Sequence, residues 1–119
     1  ALSSGYYDAY YLKAINVKNM IINDFNLAFK DVDCILSPTC PELPFNIGEK
    51  KDNPLSMYLS DILTIPANLA ELPSISIPFV LSRTNLPIGI QLTANKMEEN
   101  KLLKISALIE NEVSFTQKP

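Results

Sequence analysis

The sequence predicts an α/β fold, and three observations carry that prediction. Apolar residues recur at helical spacing from residue 4 to residue 30 and again beyond Glu98. A short apolar run ending in prolines reads as a buried strand. Two later segments, the first with period-two alternation and joined to the second by a turn, read as a strand pair. Helix, strand, short helices, strand pair and helix is an order that covers both faces of a sheet. Three strands make a small sheet, so the same order predicts part of a larger one.

The elements follow in chain order. Across 4–30, Tyr7, Tyr11, Ala14, Ile21, Phe25 and Ala28 form an apolar stripe broken only by Lys18, with Asp8, Asn16, Asn19, Asn23, Asn26 and Lys30 opposite. Ser3 or Ser4 is placed to cap the first turn. Val32 to Leu36 is the first strand, stopped by Ser37-Pro38-Thr39-Cys40-Pro41 because proline donates no ladder bond. From Pro41 to Pro54, prolines, Gly48 and Glu49-Lys50-Lys51-Asp52 predict a surface excursion. Pro54 to Ile65 is expected to be helical with Pro54 in its first turn, Met57, Tyr58, Ile62 and Ile65 supplying contacts. A second short helix, Pro66 to Leu72, follows a break imposed by Pro66. Ser74 to Phe79 alternates polar and apolar residues, 81–87 is a turn, and Ile88 to Leu92 returns, with Gly89 allowing close packing or a bulge. Asn95 and Glu98 have the spacing of a capping box before a helix with Leu102, Ile105, Ile109 and Val113 on one face.

Composition narrows the function. Hydrophobic residues make up 47% and charged residues 19% of the 119, a globular balance in which 1–119 is expected to be one domain or part of a larger one. The net charge is -3, and Arg83 is the single arginine, which argues against direct binding of a phosphate backbone. No apolar run reaches the roughly 18–20 residues of a membrane span, and Ala1 to Gly5 lacks the features of a signal peptide. Cys34 and Cys40 read as free thiols of a reducing, cytoplasmic setting. The first residue is not methionine, which predicts a start partway through a longer protein.

There is no histidine, so neither a Ser-His-Asp nor a Cys-His arrangement can be completed, and the usual His-bearing zinc sites are excluded. Any hydrolytic chemistry must use another base or lie elsewhere, and no metal ligand set is expected in 1–119. Ser3-Ser4-Gly5 is better explained as a helix cap than as a nucleophile loop, and Glu98 and Glu99 as a solvated helix start. Asp61 differs. It sits in Met57-Tyr58-Leu59-Ser60-Asp61-Ile62-Leu63, among apolar neighbours, where an unpaired carboxylate is costly if removed from water. A structural ion pair, a helix cap and ligand binding are all open to it.

Several segments together resemble the amidase signature family. They include Ser37-Pro38-Thr39-Cys40-Pro41, Pro66-Ala67-Asn68-Leu69-Ala70 and Leu86-Pro87-Ile88-Gly89-Ile90-Gln91. Ser3-Ser4-Gly5-Tyr6-Tyr7-Asp8-Ala9-Tyr10-Tyr11 and Met57-Tyr58-Leu59-Ser60-Asp61 are similar more narrowly to the glutaminase subunits of tRNA-dependent amidotransferases. The resemblance covers nearly the whole chain in order. It departs at Glu71 and Asn85, where the family commonly has glycine, and at Thr93-Ala94, where it has an apolar residue and glycine.

The resemblance implies the C-terminal part of an α/β/α sandwich with a mixed sheet. It implies a glutaminase that uses a Ser–Ser–Lys triad in place of histidine, with the triad upstream of Ala1 and the fragment inactive alone. By the same resemblance, Asp61 binds the α-ammonium of glutamine, and an arginine for the substrate carboxylate precedes Ala1. The released ammonia would convert Glu-tRNA(Gln) to Gln-tRNA(Gln) in a heterotrimer with the B and C subunits of the amidotransferase. The partner subunit would hold the tRNA and use ATP and Mg. A general amide hydrolase and a non-enzymatic α/β interaction module are the competing expectations.

Overall fold

The computed structural model describes residues 7–50 and 52–115. A π-helical turn, Tyr7–Tyr11, leads into helix α1, Leu12–Ala28. Strand β1 is Cys34–Pro38; two short helices follow, α2 at Pro54–Ser60 and α3 at Ile65–Leu69. Strands β2, Ser74–Leu81, and β3, Pro87–Ala94, precede helix α4, Glu99–Val113. The predicted helix over 4–30 is therefore two pieces, and no local residue marks the π-helical opening. The expected Ser3 or Ser4 cap lies outside the described residues.

The sheet order is β1-β3-β2, and both pairings are antiparallel. Within this chain the sheet is antiparallel throughout, so any parallel strand of a mixed sheet would come from outside it. Pro38 ends β1 and Pro78 lies inside β2, both outer strands, where a missing N–H costs least. Phe79 is an extra residue in β2 between Pro78 and Val80, a bulge that bends the edge strand.

The two sheet faces differ sharply. One carries Ile77, Leu92 and Ala94, which are buried against Leu102 of α4, with Cys34, Ile75, Ile90, Ile105 and Ile109 packed around them. Of the predicted α4 face, Leu102, Ile105 and Ile109 therefore meet the sheet as expected, while Val113 stands outside this cluster. The other face is polar. Ser37, Gln91 and Ser76 lie in one row across the three strands, and Ile35, Thr93 and Ser74 in the next, Ile35 being the apolar member. These groups bond one another: Ser74 Oγ to Thr93 Oγ1 at 2.9 Å, and Thr39 Oγ1 to Ser76 Oγ at 2.7 Å. Gly89 is required beside that last pair, since an added Cβ would lie 2.7 Å from Ser76 Oγ.

Helices α1 and α3 pack together on this side, with Ile21, Phe25, Ile35 and Pro66 around a shared hollow, and leave Ser74 and Ser76 exposed. The chain is thus an α/β/α arrangement. Lys18, the break in the α1 stripe, donates to Glu71 Oε1 at 2.9 Å, and Lys96 donates to Glu71 Oε2 at 2.7 Å. Glu71 has φ 59°, the left-handed region that favours glycine, and Asn85 shares it at φ 59°. Asparagine tolerates that conformation, whereas Glu71 is held there between two lysines.

Three local expectations are corrected. The capping box is absent: the Glu98 side chain makes no cap bond and instead pairs with Lys101 at 2.8 Å, while Asn95 Oδ1 accepts from the Lys96 N–H. The helix predicted to reach Ile65 ends at Ser60, and Pro66 enters the first turn of α3, where its missing N–H is no loss. Met57, Tyr58, Ile62 and Ile65 remain exposed instead of packing within the chain.

Candidate functional site

Asp61 is positioned by a cap at each end of its segment. Asn53 is the N-cap of α2, its Oδ1 accepting from the Ser56 N–H at 3.1 Å, and Pro54 sets the first helical φ. Asp61 is the C-cap, with φ -98°. Its carbonyl accepts from Thr64 N at 3.0 Å, Ile65 N at 3.1 Å and Thr64 Oγ1 at 3.1 Å. The backbone of the 61–64 turn is therefore well fixed.

The Asp61 side chain is exposed, and its carboxylate enters no ion pair and no side-chain hydrogen bond among the described residues. Of the structural roles left open by the sequence, the ion pair is absent among those residues, while Asp61 is the C-cap of the preceding short helix through its backbone alone, its side chain capping no helix. The N-cap of α3 is Thr64, which makes no side-chain cap bond. A carboxylate at a helix C-terminus meets the negative end of the peptide dipoles, so local electrostatics do not explain it. What remains is a charge presented outward on a fixed turn.

Around this turn lie groups the sequence did not single out. Lys50, expected on a charged surface excursion, is 7% exposed. Its ammonium donates to Ser60 Oγ at 2.6 Å, pairs with Glu42, and lies 4.2 Å from the centre of the Phe45 ring. A cleft of about 210 Å³ adjoins this loop, lined by Thr39, Cys40, Glu42, Phe45, Ser76 and Gly89; Asp61 does not line it. Gln91, 7% exposed, reaches from the polar sheet face to the Leu63 carbonyl at 3.0 Å. Sequence period could not find these contacts, although a glutamine between Ile90 and Leu92 in a strand is a visible oddity.

Other candidates carry less. Cys34 and Cys40 are free and half-buried. Among the described residues there is no cluster of three or more His, Cys, Asp or Glu able to hold a metal, and no helix is long and apolar enough to cross a membrane. Ser3 and Ser4 lie outside the described residues.

With this geometry established, comparison with known proteins places the chain. Residues 1–103 match the amidase family. The chain is 52% identical over 118 residues to the A subunit of glutamyl-tRNA(Gln) amidotransferase from Parvibaculum lavamentivorans, covering 99% of this chain and 24% of that protein. A crystal structure of the A subunit of glutamyl-tRNA(Gln) amidotransferase from Thermotoga maritima superposes with a TM-score of 0.86 at 44% identity, over 96% of this chain and 25% of that one. An allophanate hydrolase of Kluyveromyces lactis gives 0.73 at 28% identity, over 84% and 16%. The chain thus spans 23–25% of the length of the curated relatives it matches. On these matches, and on an α/β/α fold shared with solved members, the chain belongs to the amidase family.

Proposed function

We propose that this chain is the C-terminal part of the ammonia-releasing subunit of a tRNA-dependent amidotransferase. The observation that carries the reading is Asp61: an exposed carboxylate without an internal partner among the described residues, held on a fixed turn, in a Met-Tyr-x-x-Asp segment. Two relatives at 44% and 52% identity bear the name of that subunit, which supports the narrower assignment over a general amidase.

In this reading Asp61 holds the α-ammonium of glutamine by a charge-assisted bond. The serine nucleophile, bridging serine and lysine base belong to polypeptide upstream of Ala1, and this chain supplies no catalytic residue. Glutamine is hydrolysed to glutamate and ammonia. A partner subunit, using ATP and Mg, then amidates Glu-tRNA(Gln) in a heterotrimer with the B and C subunits, in the cytoplasm.

Exposed area supports a chain whose faces are covered by more polypeptide. It exposes 9017 Å² at 13.3 kDa, against about 6,500 Å² for a compact protein of that mass. Large apolar side chains are among those exposed, including Leu36, Leu55, Tyr58 and Leu69. An independent interaction module would bury those side chains.

The test is Asp61→Asn in the full-length protein. A charge-assisted bond contributes about 1.5–3 kcal/mol, so KM for glutamine should rise about 10- to 150-fold. Neutral amides lacking an α-ammonium should be hydrolysed unchanged. An equal effect on both would favour a general amide hydrolase. The isolated 119-residue chain should release no ammonia from glutamine.

A further inference from the structure

The turn that carries Asp61 is gripped on both flanks by buried donors. Gln91 lies near the middle of β3, in the row Ser37, Gln91, Ser76 on the polar sheet face. Its Nε2 donates to the Leu63 carbonyl at 3.0 Å and, at 3.4 Å, to Ser37 Oγ. On the other side, Lys50 donates to Ser60 Oγ at 2.6 Å. Ser60 and Leu63 bracket Asp61 in sequence, so the carboxylate sits between two anchored points.

The polar neighbours of Gln91 on this face are short hydroxyl side chains, of which Ser74 pairs with Thr93 and Ser76 with Thr39. Gln91 is the long polar side chain among them, and its reach ends on the backbone of the Asp61 turn. A sheet is the stiffest support available in the fold, and a site on a loop gains precision when tied to one. The residues of the turn itself, Asp61 and Ile62, are exposed and have little packing to hold them.

We propose that Gln91 is a positioning residue for the Asp61 carboxylate. Its amide docks the 61–64 turn on the sheet and so sets where the carboxylate meets the ammonium of the substrate. This assignment rests on the reading of Asp61 as the ammonium partner. The glutamine does not touch substrate; it acts through the turn. Small displacements of a positioning group weaken a charged contact steeply, because a charge-assisted bond depends on distance and alignment.

The experiment uses the full-length protein with Gln91→Met, which keeps side-chain length and removes the N–H donors. Gln91→Asn is the second variant: it keeps the amide but is one methylene too short to span the gap. KM for glutamine should rise about tenfold in either, with kcat changed less than about twofold. KM for a neutral amide without an α-amine should not move. In Gln91→Met combined with Asp61→Asn, KM should be no higher than in Asp61→Asn alone, because position ceases to matter once the charge is gone.

An unchanged KM in a folded variant overturns the proposal. So does a parallel rise for the neutral amide, or effects that multiply in the double variant, since either makes Gln91 a general structural support. Loss of folding in both single variants overturns it for the same reason. If Asp61→Asn alone leaves KM for glutamine unchanged, the reading of Asp61 fails first and this assignment fails with it.

Discussion

Ser106 offers a test of the core in which a substitution should add stability. It lies inside α4, 5% exposed, and its Oγ has no hydrogen-bond partner among the described residues. That oxygen is already shut off from solvent within this chain, so further polypeptide packed outside cannot reach it. A buried hydroxyl without a partner costs about 1–3 kcal/mol. Alanine also has the better helix propensity, by about 0.5 kcal/mol. The void left by one oxygen returns part of that gain, so Ser106→Ala should stabilise by about 1–2 kcal/mol. Amide hydrogen exchange in the full-length protein reads this locally. The α4 amides should exchange about 5- to 30-fold more slowly where opening limits them. Exchange that is unchanged or faster would refute the reasoning, and would mean the hydroxyl is satisfied by a group such as a trapped water.

Leu92 is 1% exposed at the centre of the cluster of Ile77, Ala94 and Leu102. Leu92→Ala should cost about 2–5 kcal/mol and Leu92→Met less than about 1.5, read as a lowered melting midpoint. Glu71 gives a pH test. The hydrogen bonds from Lys96 and then Lys18 lower its carboxyl from 4.5 to about 2. A depressed folded-state value adds stability above the unfolded value and loses it as pH falls toward the folded one. The melting difference between wild type and Glu71→Gln should therefore be full at pH 7 and shrink between 4.5 and 2. It should also shrink with added salt, because the Glu71 side chain is 52% exposed. A difference constant down to pH 2 would show that the lysines do not act through charge.

Much of the fold was legible because it is local. Period-two alternation put Ile75 and Ile77 on one face of β2, and that face is the core face. Helical spacing put Leu102, Ile105 and Ile109 on one side of α4, and they meet the sheet. Where local signals competed, reading them failed. Asn95 and Glu98 had the spacing of a capping box, yet Glu98 is drawn to Lys101, which also reaches Asp33. Met57, Tyr58, Ile62 and Ile65 had the character of packing residues, but they remain exposed and are covered by none of the described residues.

The sequence by itself determined the element order, the two-faced sheet, the family its motifs resemble, and the segment carrying Asp61. Only tertiary structure decided what meets what. Lys18 is 53 residues from Glu71, and their pairing explains both a break in a helical stripe and a glutamate in left-handed backbone. The burial of Lys50, the reach of Gln91 and the lack of a partner for the Asp61 carboxylate among the described residues were likewise invisible beforehand. Spacing along a chain reports which side of an element a residue occupies, whereas partners across the fold are fixed only when strand register and chain closure bring them together.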